Sequence, residues 1–395
     1  MGFFKKIGDI LAGNWQNIGI NYYWYFYYYL LLFFTYDIIF SEVDNMRIVV
    51  NMLSKADSVE GQGVGSAYLE QVALIKEMLP DDFEVRINSR KKADIVHVHS
   101  VNLGFYFRFK KKNGVRVMYC HFLPETLDGS IKLPKLIFNI FKKYVMSFYK
   151  KADYLVVVNP IFKNDLIKHG VKEERIVYIP NYVSKENFYE LDNEAKLKIR
   201  EKYNIDKDKF VVLGCGQVQT RKGVVDFVEV AKNNPDIEFV WCGGFSFAKI
   251  TDGYKELKEI VDNPPCPNLH FLGIIPRTEM NQMFNMADLL FMPSYNELFP
   301  MSILEAVSCG KPVVLRNLDL YKDILWDKPI YGENNEDFSN AINKLASDEA
   351  YYNEAKLKSS DVAKFYSKEH VAQLWKEFYQ GIYNKKLEEK NKKKK

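Results

Sequence analysis

Residues 288–314 read DLLFMPSYNELFPMSILEAVSCGKPVV. DLLFM is a short unbroken apolar run, which fits a strand buried on both faces. YNELF is its polar exit, Pro300 suits the first position of a helix, and KPVV opens the next strand. Strand, loop, helix and strand in so short a span make the unit of a parallel sheet with helices on its faces.

The same grammar runs in both directions. Downstream lies KPIYG, and upstream lie KFVVLGCG, IEFVWCGG and LHFLGII, a second-half series. Before it comes a first series, RIVVNML, FEVRIN, ADIVHVHS, VRVMYCH, ADYLVVVNP and RIVYIPN, with an amphipathic helix SAYLEQVALIKEMLP after the first strand. At 395 residues, 47% hydrophobic and 27% charged, the chain can bury two cores. The expectation is an α/β protein of two doubly wound, Rossmann-like domains facing a cleft. The first covers 46–187, the second 188–365, and a C-terminal helix with a basic tail, 366–395, packs back on the first. Residues 1–45 form an aromatic extension, NYYWYFYYYLLLFF at its centre, long enough for a membrane span. A start at Met46, where the first strand begins, is the other reading.

In doubly wound sheets ligands sit beyond the carboxyl ends of the strands, so the exit loops are where chemistry belongs. GQGVGSAY, with Gly63, Val64 and Gly65, follows the first strand, and there glycines let backbone and helix amides approach an anion. A tight strand-to-helix turn explains it equally. GCGQVQTRKG, with Gly216, Arg221 and Lys222, sets two cations before a helix, an arrangement suited to a diphosphate, with a solvated loop pair as the alternative. In the loop after DLLFM, the amides of Met301 and Ser302 lack helical partners and would grip a phosphate. Glu297 and Glu305, eight residues apart, bracket them and would accept from hydroxyls at either end of a nucleotide-sugar. His121 ends a strand of the first series, where it would face the cleft and contact a reacting sugar or else be a satisfied structural histidine, whereas His97 and His99 read as structural. The five cysteines are scattered without a paired motif, which suits a reducing compartment and leaves no zinc-ligand spacing.

GQVQTRKG followed by NELFPMSILEAVSCGKPVV resembles the donor site of the family 4 retaining glycosyltransferases of the GT-B fold, whose signature is two glutamates separated by seven residues. The resemblance implies that Arg221 and Lys222 neutralise the diphosphate, Glu305 holds the ribose and Glu297 contacts the transferred sugar. His121 becomes the cleft histidine, and Gly63 to Gly65 the acceptor-side loop. Gly216, Ile274, Phe299, Met301 and Ser302 complete the donor pocket. It implies a nucleotide-sugar substrate, UDP-glucose or UDP-galactose, with retention and no metal. Leu298 stands where the family often has glycine, so the sugar pocket differs in detail.

Residues 100–151 hold eleven Lys or Arg against two acids, mixed with aromatics. Local charge of one sign among aromatic residues points to an anionic surface. In KLPKLIFNIFKKYVMSFYKKADY the apolar residues recur at helical spacing, as on a helix lying in a membrane interface. Lys110, Lys111, Lys112, Lys135, Phe138, Phe141, Lys142 and Lys143 are then its contacts with anionic lipid. A helix turned toward the core with a solvated lysine face is the alternative. No nucleic-acid module accompanies the patch, so nucleic acid is not an expected partner. SKADSVEGQGVGSAYLEQV is similar to the bacterial glycolipid synthases that build diglycosyl-diacylglycerols. That resemblance implies a peripheral enzyme on the cytoplasmic face of the membrane with a glycolipid acceptor, a monoglycosyl-diacylglycerol. Diacylglycerol itself and a polysaccharide precursor are the other acceptors.

Overall fold

The structure is a computed structural model that describes residues 47–55, 63–124, 135–245, 253–297 and 299–393. The aromatic extension, Leu298 and most of the loop before Gly63 lie outside the described residues. Residues Ile48–Lys395 form one compact unit.

Six strands make the first sheet: β1 (Ile48–Leu53), β2 (Phe83–Ile87), β3 (Ile95–Val98), β4 (Val115–Cys120), β5 (Tyr154–Val157) and β6 (Ile176–Tyr178). The second has β7 (Val211–Cys215), β8 (Glu238–Cys242), β9 (Leu269–Gly273), β10 (Leu289–Met292), β11 (Val313–Arg316) and β12 (Ile330–Gly332). Every pairing is parallel, in the orders β2-β1-β3-β4-β5-β6 and β12-β11-β10-β7-β8-β9. The chain crosses from one sheet to the other between β6 and β7, the interval that holds residue 187. The helices used below are α1 (Gly63–Met78), α2 (Leu103–Arg108), α3 (Lys135–Lys151), α4 (Val224–Asn233), α5 (Met301–Ser308), α6 (Glu349–Phe365) and α7 (Lys368–Lys392).

The apolar runs are continuous because both faces of each sheet are covered. Along β4, Val115, Val117 and Tyr119 join one core cluster while Met118 and Cys120 join the other. Along β8, Val240 and Cys242 face one side, and Phe239 and Trp241 the opposite side. Such two-sided burial, at roughly 25 cal/mol per Å² of apolar surface, is what holds each sheet.

The long α7 completes the first core. Val371, Ala372, Trp375, Tyr379 and Ile382 share a cluster with Val50, Ile75 and Val117. Gln71 donates to the Tyr379 hydroxyl at 3.1 Å, and that hydroxyl lies 2.7 Å from Nδ1 of His97. Where α6 hands over to α7, Lys368 is fixed by Glu77 at 2.8 Å and Glu186 at 3.4 Å.

Topology locates the crevices. In the second sheet the order reverses between β7 and β10, so their exit loops diverge and leave a hollow beyond the strand ends. In the first sheet the reversal lies between β1 and β3.

Candidate donor site and cleft

The loop after β7 is shaped by glycines that must lack a side chain. Gly216 has φ 137°. A Cβ on Gly243, across the sheet, would lie 1.8 Å from the Gly216 carbonyl. The Trp241 indole N–H donates to that carbonyl at 3.1 Å. This close packing steers the loop into a short 3-10 turn, Thr220–Lys222, which ends on Gly223 (φ 70°), where α4 begins. Arg221 and Lys222 therefore stand beside a helix start.

The loop after β10 is tied to that turn. The Tyr295 amide donates to the Arg221 carbonyl at 2.9 Å. Arg221 donates from Nε to Gln219 at 3.0 Å and from Nη1 to the Asn296 carbonyl at 3.3 Å. Lys222 Nζ meets Glu297 Oε1 at 2.6 Å, both side chains being well shielded, at 13% and 6% exposure. Pro300 is the N-cap residue and not the first helical one, since α5 starts at Met301. The shift of one residue leaves the first-turn amides of Met301 and Ser302 without helical acceptors, as expected.

Glu305 lies one turn inside α5 and is 3% exposed. Its Oε1 accepts from Nη1 of Arg277 at 2.7 Å. Burial raises its pKa, and Arg277 offsets only part of that rise. The charges of Glu305, Lys222, Arg277 and Glu297 all act on the thiol of Cys215, the last residue of β7. Four of these side chains thus converge on the end of one strand. Burial, the dominant influence, pushes the Cys215 thiol up to about 12, so it stays protonated and is no nucleophile. Phe299 is half-buried and packs on the core below, with its ring 6.1 Å from Tyr366. Ile274 projects outward, and Gly244 leaves room for it.

From the first sheet, Gly63, Val64 and Gly65 form the first turn of α1. Further along the same helix, Glu70 feels both Arg277 and Glu305, which places it across the cleft from the donor loops. Its pKa is raised, chiefly by burial. Its carbonyl accepts from the Tyr182 hydroxyl at 3.2 Å. His121 follows β4, its ring 4.3 Å from Tyr119 and 5.8 Å from His99. Burial lowers its pKa to about 3, so the imidazole is neutral at physiological pH. Its Nε2 has no partner among the described residues. His97 and His99 are buried below it, consistent with a structural role.

The strands, the exit loops and the charged cluster together answer to one description. The chain is a GT-B glycosyltransferase. Residues 195–360 match the family model of Glycosyl transferases group 1, and residues 56–187 that of Glycosyltransferase Family 4. The chain is 42% identical over 340 residues to an alpha-galactosylglucosyldiacylglycerol synthase of Streptococcus pneumoniae, covering 86% of this chain and 91% of the relative. It is 27% identical to a processive diacylglycerol alpha-glucosyltransferase of Acholeplasma laidlawii, over 74% of this chain and 86% of that one. Among solved structures, Anabaena HepE in complex with UDP-glucose shares the fold, with a TM-score of 0.65 at 16% identity over 85% of this chain and 100% of that chain. This glycosyltransferase is therefore a hexosyl-transferring enzyme by family.

Sequence reasoning missed Arg277 and Glu70. Arg277 sits in a plain polar turn, IIPRTEM, and Glu70 on an ordinary amphipathic helix, so neither stretch signals a site. One expectation is corrected. On α3, Phe138 is buried and Phe141 half-buried against the core, so neither forms a lipid-facing contact. The turn of the helix toward β4 is the reason: Val145, Phe148 and Tyr149 fill the core, and Phe138 lies two turns earlier on that side. Leu136, Ile137 and Ile140 are the exposed apolar residues instead, at 73%, 51% and 60%. Lys110, Lys111, Lys112 and Lys143 are exposed; Lys142 lies over the Phe138 ring at 4.6 Å, and the Lys135 side chain is outside the described residues.

Proposed function

We propose that this glycosyltransferase moves a hexose from a UDP-hexose to the sugar of a monoglucosyl-diacylglycerol, forming a diglycosyl-diacylglycerol at the cytoplasmic face of the membrane. The observation that carries this reading is the 42% identity, spanning 91% of the relative, to the alpha-galactosylglucosyldiacylglycerol synthase. That relative's name favours galactose as the transferred sugar. The name of the Acholeplasma relative supports a second reading, with diacylglycerol as the acceptor.

In this reading the pyrophosphate lies against Arg221, Lys222 and the amides of Met301 and Ser302. Glu305 takes the ribose hydroxyls, with Arg277 holding the carboxylate in place. Glu297 contacts the hexose, and Gly216, Ile274 and Phe299 border the donor. The anomeric carbon–oxygen bond to the diphosphate breaks while the acceptor oxygen bonds to the same carbon on the retained face. The acceptor's proton passes to the departing phosphate oxygen. Positive side chains and helix amides stabilise that leaving group, so no metal is needed. In this reading the neutral His121 meets a hydroxyl of the transferred sugar through its unpartnered Nε2. Gly63 to Gly65 receive the acceptor sugar.

The exposed Leu136, Ile137 and Ile140, with the exposed Lys143 one turn further along the same helix, support docking on anionic lipid. Among the described residues no helix is long and apolar enough to cross a membrane. The test is transfer from labelled UDP-galactose and UDP-glucose to monoglucosyl-diacylglycerol and to diacylglycerol in vesicles. A disaccharide product from the first acceptor alone is expected; labelled product only from diacylglycerol would select the second reading, and none from either would reject both.

A further inference from the structure

A cavity of about 670 Å³ lies at the opposite end of the first sheet from the cleft. The starts of β4 and β5, the turn before β6 and the last turns of α7 enclose it. Its walls carry Lys172 and six further cations: Lys111, Arg116, Lys150, Arg175, Lys385 and Lys386. Only three acids, Asp153, Glu174 and Glu389, oppose them. Asp153 is engaged by Arg116, at 3.1 Å from Nε and 2.7 Å from Nη2, and Glu174 lies 3.8 Å from Lys172.

The remaining cations make no short ion pair among the described residues, although Asp153 acts at longer range on Lys111 and Lys386, and Asp94 on Lys386. Arg175 donates to the main-chain carbonyls of Asp153 and Lys150, each at 3.1 Å, and Lys386 to that of Asp94 at 3.1 Å. Lys385 stands 5.9 Å from the centre of the Tyr154 ring. Among the described residues Lys111, Lys150, Arg175, Lys385 and Lys386 have no carboxylate within ion-pair reach. Burial lowers the Lys386 pKa, with Lys390 adding to the fall and Asp94 and Asp153 opposing it. Arg116, Arg175 and Lys386 are half-buried in the concavity, whose low-dielectric walls focus their field, while Lys111, Lys150, Lys172 and Lys385 stand exposed around it. Guanidinium and ammonium groups at several angles suit a tetrahedral, multiply charged oxyanion better than a single carboxylate.

We propose that this cavity binds a phosphate ester, remote from the transfer cleft. Its occupant follows from α3, whose exposed side steps through Leu136, Ile140, Lys143, Ser147 and Lys150. That stripe is apolar at one end and cationic at the other, and Lys150 lies on the cavity wall. A bilayer that takes up Leu136 and Ile140 brings its phosphates toward Lys150, so an anionic phospholipid headgroup and free phosphate are two sources of the same chemistry. Either occupant would tie α7, through Lys385 and Lys386, to Arg116 and Arg175 at the base of the sheet. The same helix packs Tyr379 on His97 beneath the cleft, which gives the site a route to the enzyme's turnover.

The test uses the full chain and a Lys150→Glu/Lys385→Glu double variant, both side chains being exposed and making no hydrogen bond among the described residues. With UDP saturating the cleft and ionic strength fixed, inorganic phosphate and glycerol phosphate are titrated against each protein. The native chain is expected to bind, and the variant to lose at least about tenfold in affinity. Turnover is then compared in vesicles with and without phosphatidylglycerol, an arm that rests on the proposed lipid acceptor. A variant deficit confined to phosphatidylglycerol vesicles assigns the headgroup as occupant; weakened phosphate binding with unchanged vesicle turnover assigns free phosphate. Equal phosphate affinity in the two proteins together with equal turnover overturns the site. Loss of UDP binding in both proteins would fault the donor assignment and not this cavity.

Discussion

The Glu297 side chain is 6% exposed, and among the described residues Lys222 is its one ion-pair partner. The two residues assigned to the diphosphate therefore differ in what else they support. Arg221 is exposed and held by Gln219 and the Asn296 carbonyl, so Arg221→Ala should abolish most transfer with a stability change of only about 0.5 kcal/mol. Lys222→Ala also strands a buried carboxylate, at a cost of about 3–5 kcal/mol. The double variant Lys222→Ala/Glu297→Ala should regain most of that stability and none of the activity. Urea denaturation beside a transfer assay checks both; a Lys222→Ala protein as stable as the native one would refute the buried pairing. Arg277 is the residue here that no motif announced, because its importance comes from a contact made by folding. It partly offsets the burial that raises the Glu305 pKa. Removing it in Arg277→Gln should raise that pKa further, so the carboxyl stays protonated to higher pH and accepts poorly from ribose hydroxyls. The acid limb of kcat/KM for the donor should move to higher pH, and an unmoved limb would separate Arg277 from Glu305.

At the scale of elements, all twelve strands were legible as runs; the inner ones are buried on both faces and need little beyond their own apolar residues to announce themselves, while the half-buried edge strands β2 and β9 follow from their place in the alternation. The glycine loops and the paired glutamates were legible for a similar reason, since their chemistry is local in sequence. The facing of α3 was not. Phe138 and Ile137 are both large and apolar, and only the position of β4 and its neighbours decides which one is buried. His97 and His99 were read as structural, yet the extent of the cluster they form with His121 appears only once β3 and β4 are paired. Three imidazoles lie ring to ring at 4.4 and 5.8 Å, among Tyr68, Tyr119, Trp375 and Tyr379. Burial depresses all three pKa values, with each further lowered for His97 and His99 by neighbouring histidines. A base whose folded pKa lies below its unfolded one binds fewer protons folded than unfolded. Stability is then full above pH 6.5 and falls as the pH drops from there toward about 3. His99→Leu, of similar volume, removes one such group. Its stability should depend less steeply on pH in that window, by about 1.4 kcal/mol per unit at most. Parallel curves for the two proteins in urea titrations from pH 7 to about pH 5 would contradict the burial of His99 as a neutral ring.

The proposed lipid-docking residues belong to the first sheet's helices, and the proposed donor site belongs to the second sheet. The first sheet carries the apolar and basic residues of α2 and α3, and the second carries the charged cluster around Cys215. The helices α2 and α3 are joined through Tyr106, whose ring lies 5.7 Å from Tyr144 and 5.2 Å from Phe148. Leu103 and Phe107, at 61% and 65% exposure, are further exposed apolar residues, on α2. Exposed large apolar residues gathered on one surface and rimmed by lysines are what membrane contact requires, whereas a solvated face would carry polar residues there. Burying such side chains in the interface contributes about 25 cal/mol per Å², so two exposed residues exchanged for serine should weaken vesicle binding by about tenfold or more. Leu136→Ser/Ile140→Ser is expected to fold with native stability, to turn over a water-soluble acceptor normally and to lose activity on vesicles. Phe138→Ser, two positions from either, should instead lower stability by about 3 kcal/mol with no selective effect on vesicles, because its ring is in the core. Sedimentation with vesicles, beside thermal unfolding, reads both variants. If Phe138→Ser lost vesicle binding at unchanged stability, the helix would lie with its other side down and the proposed docking surface would be wrong.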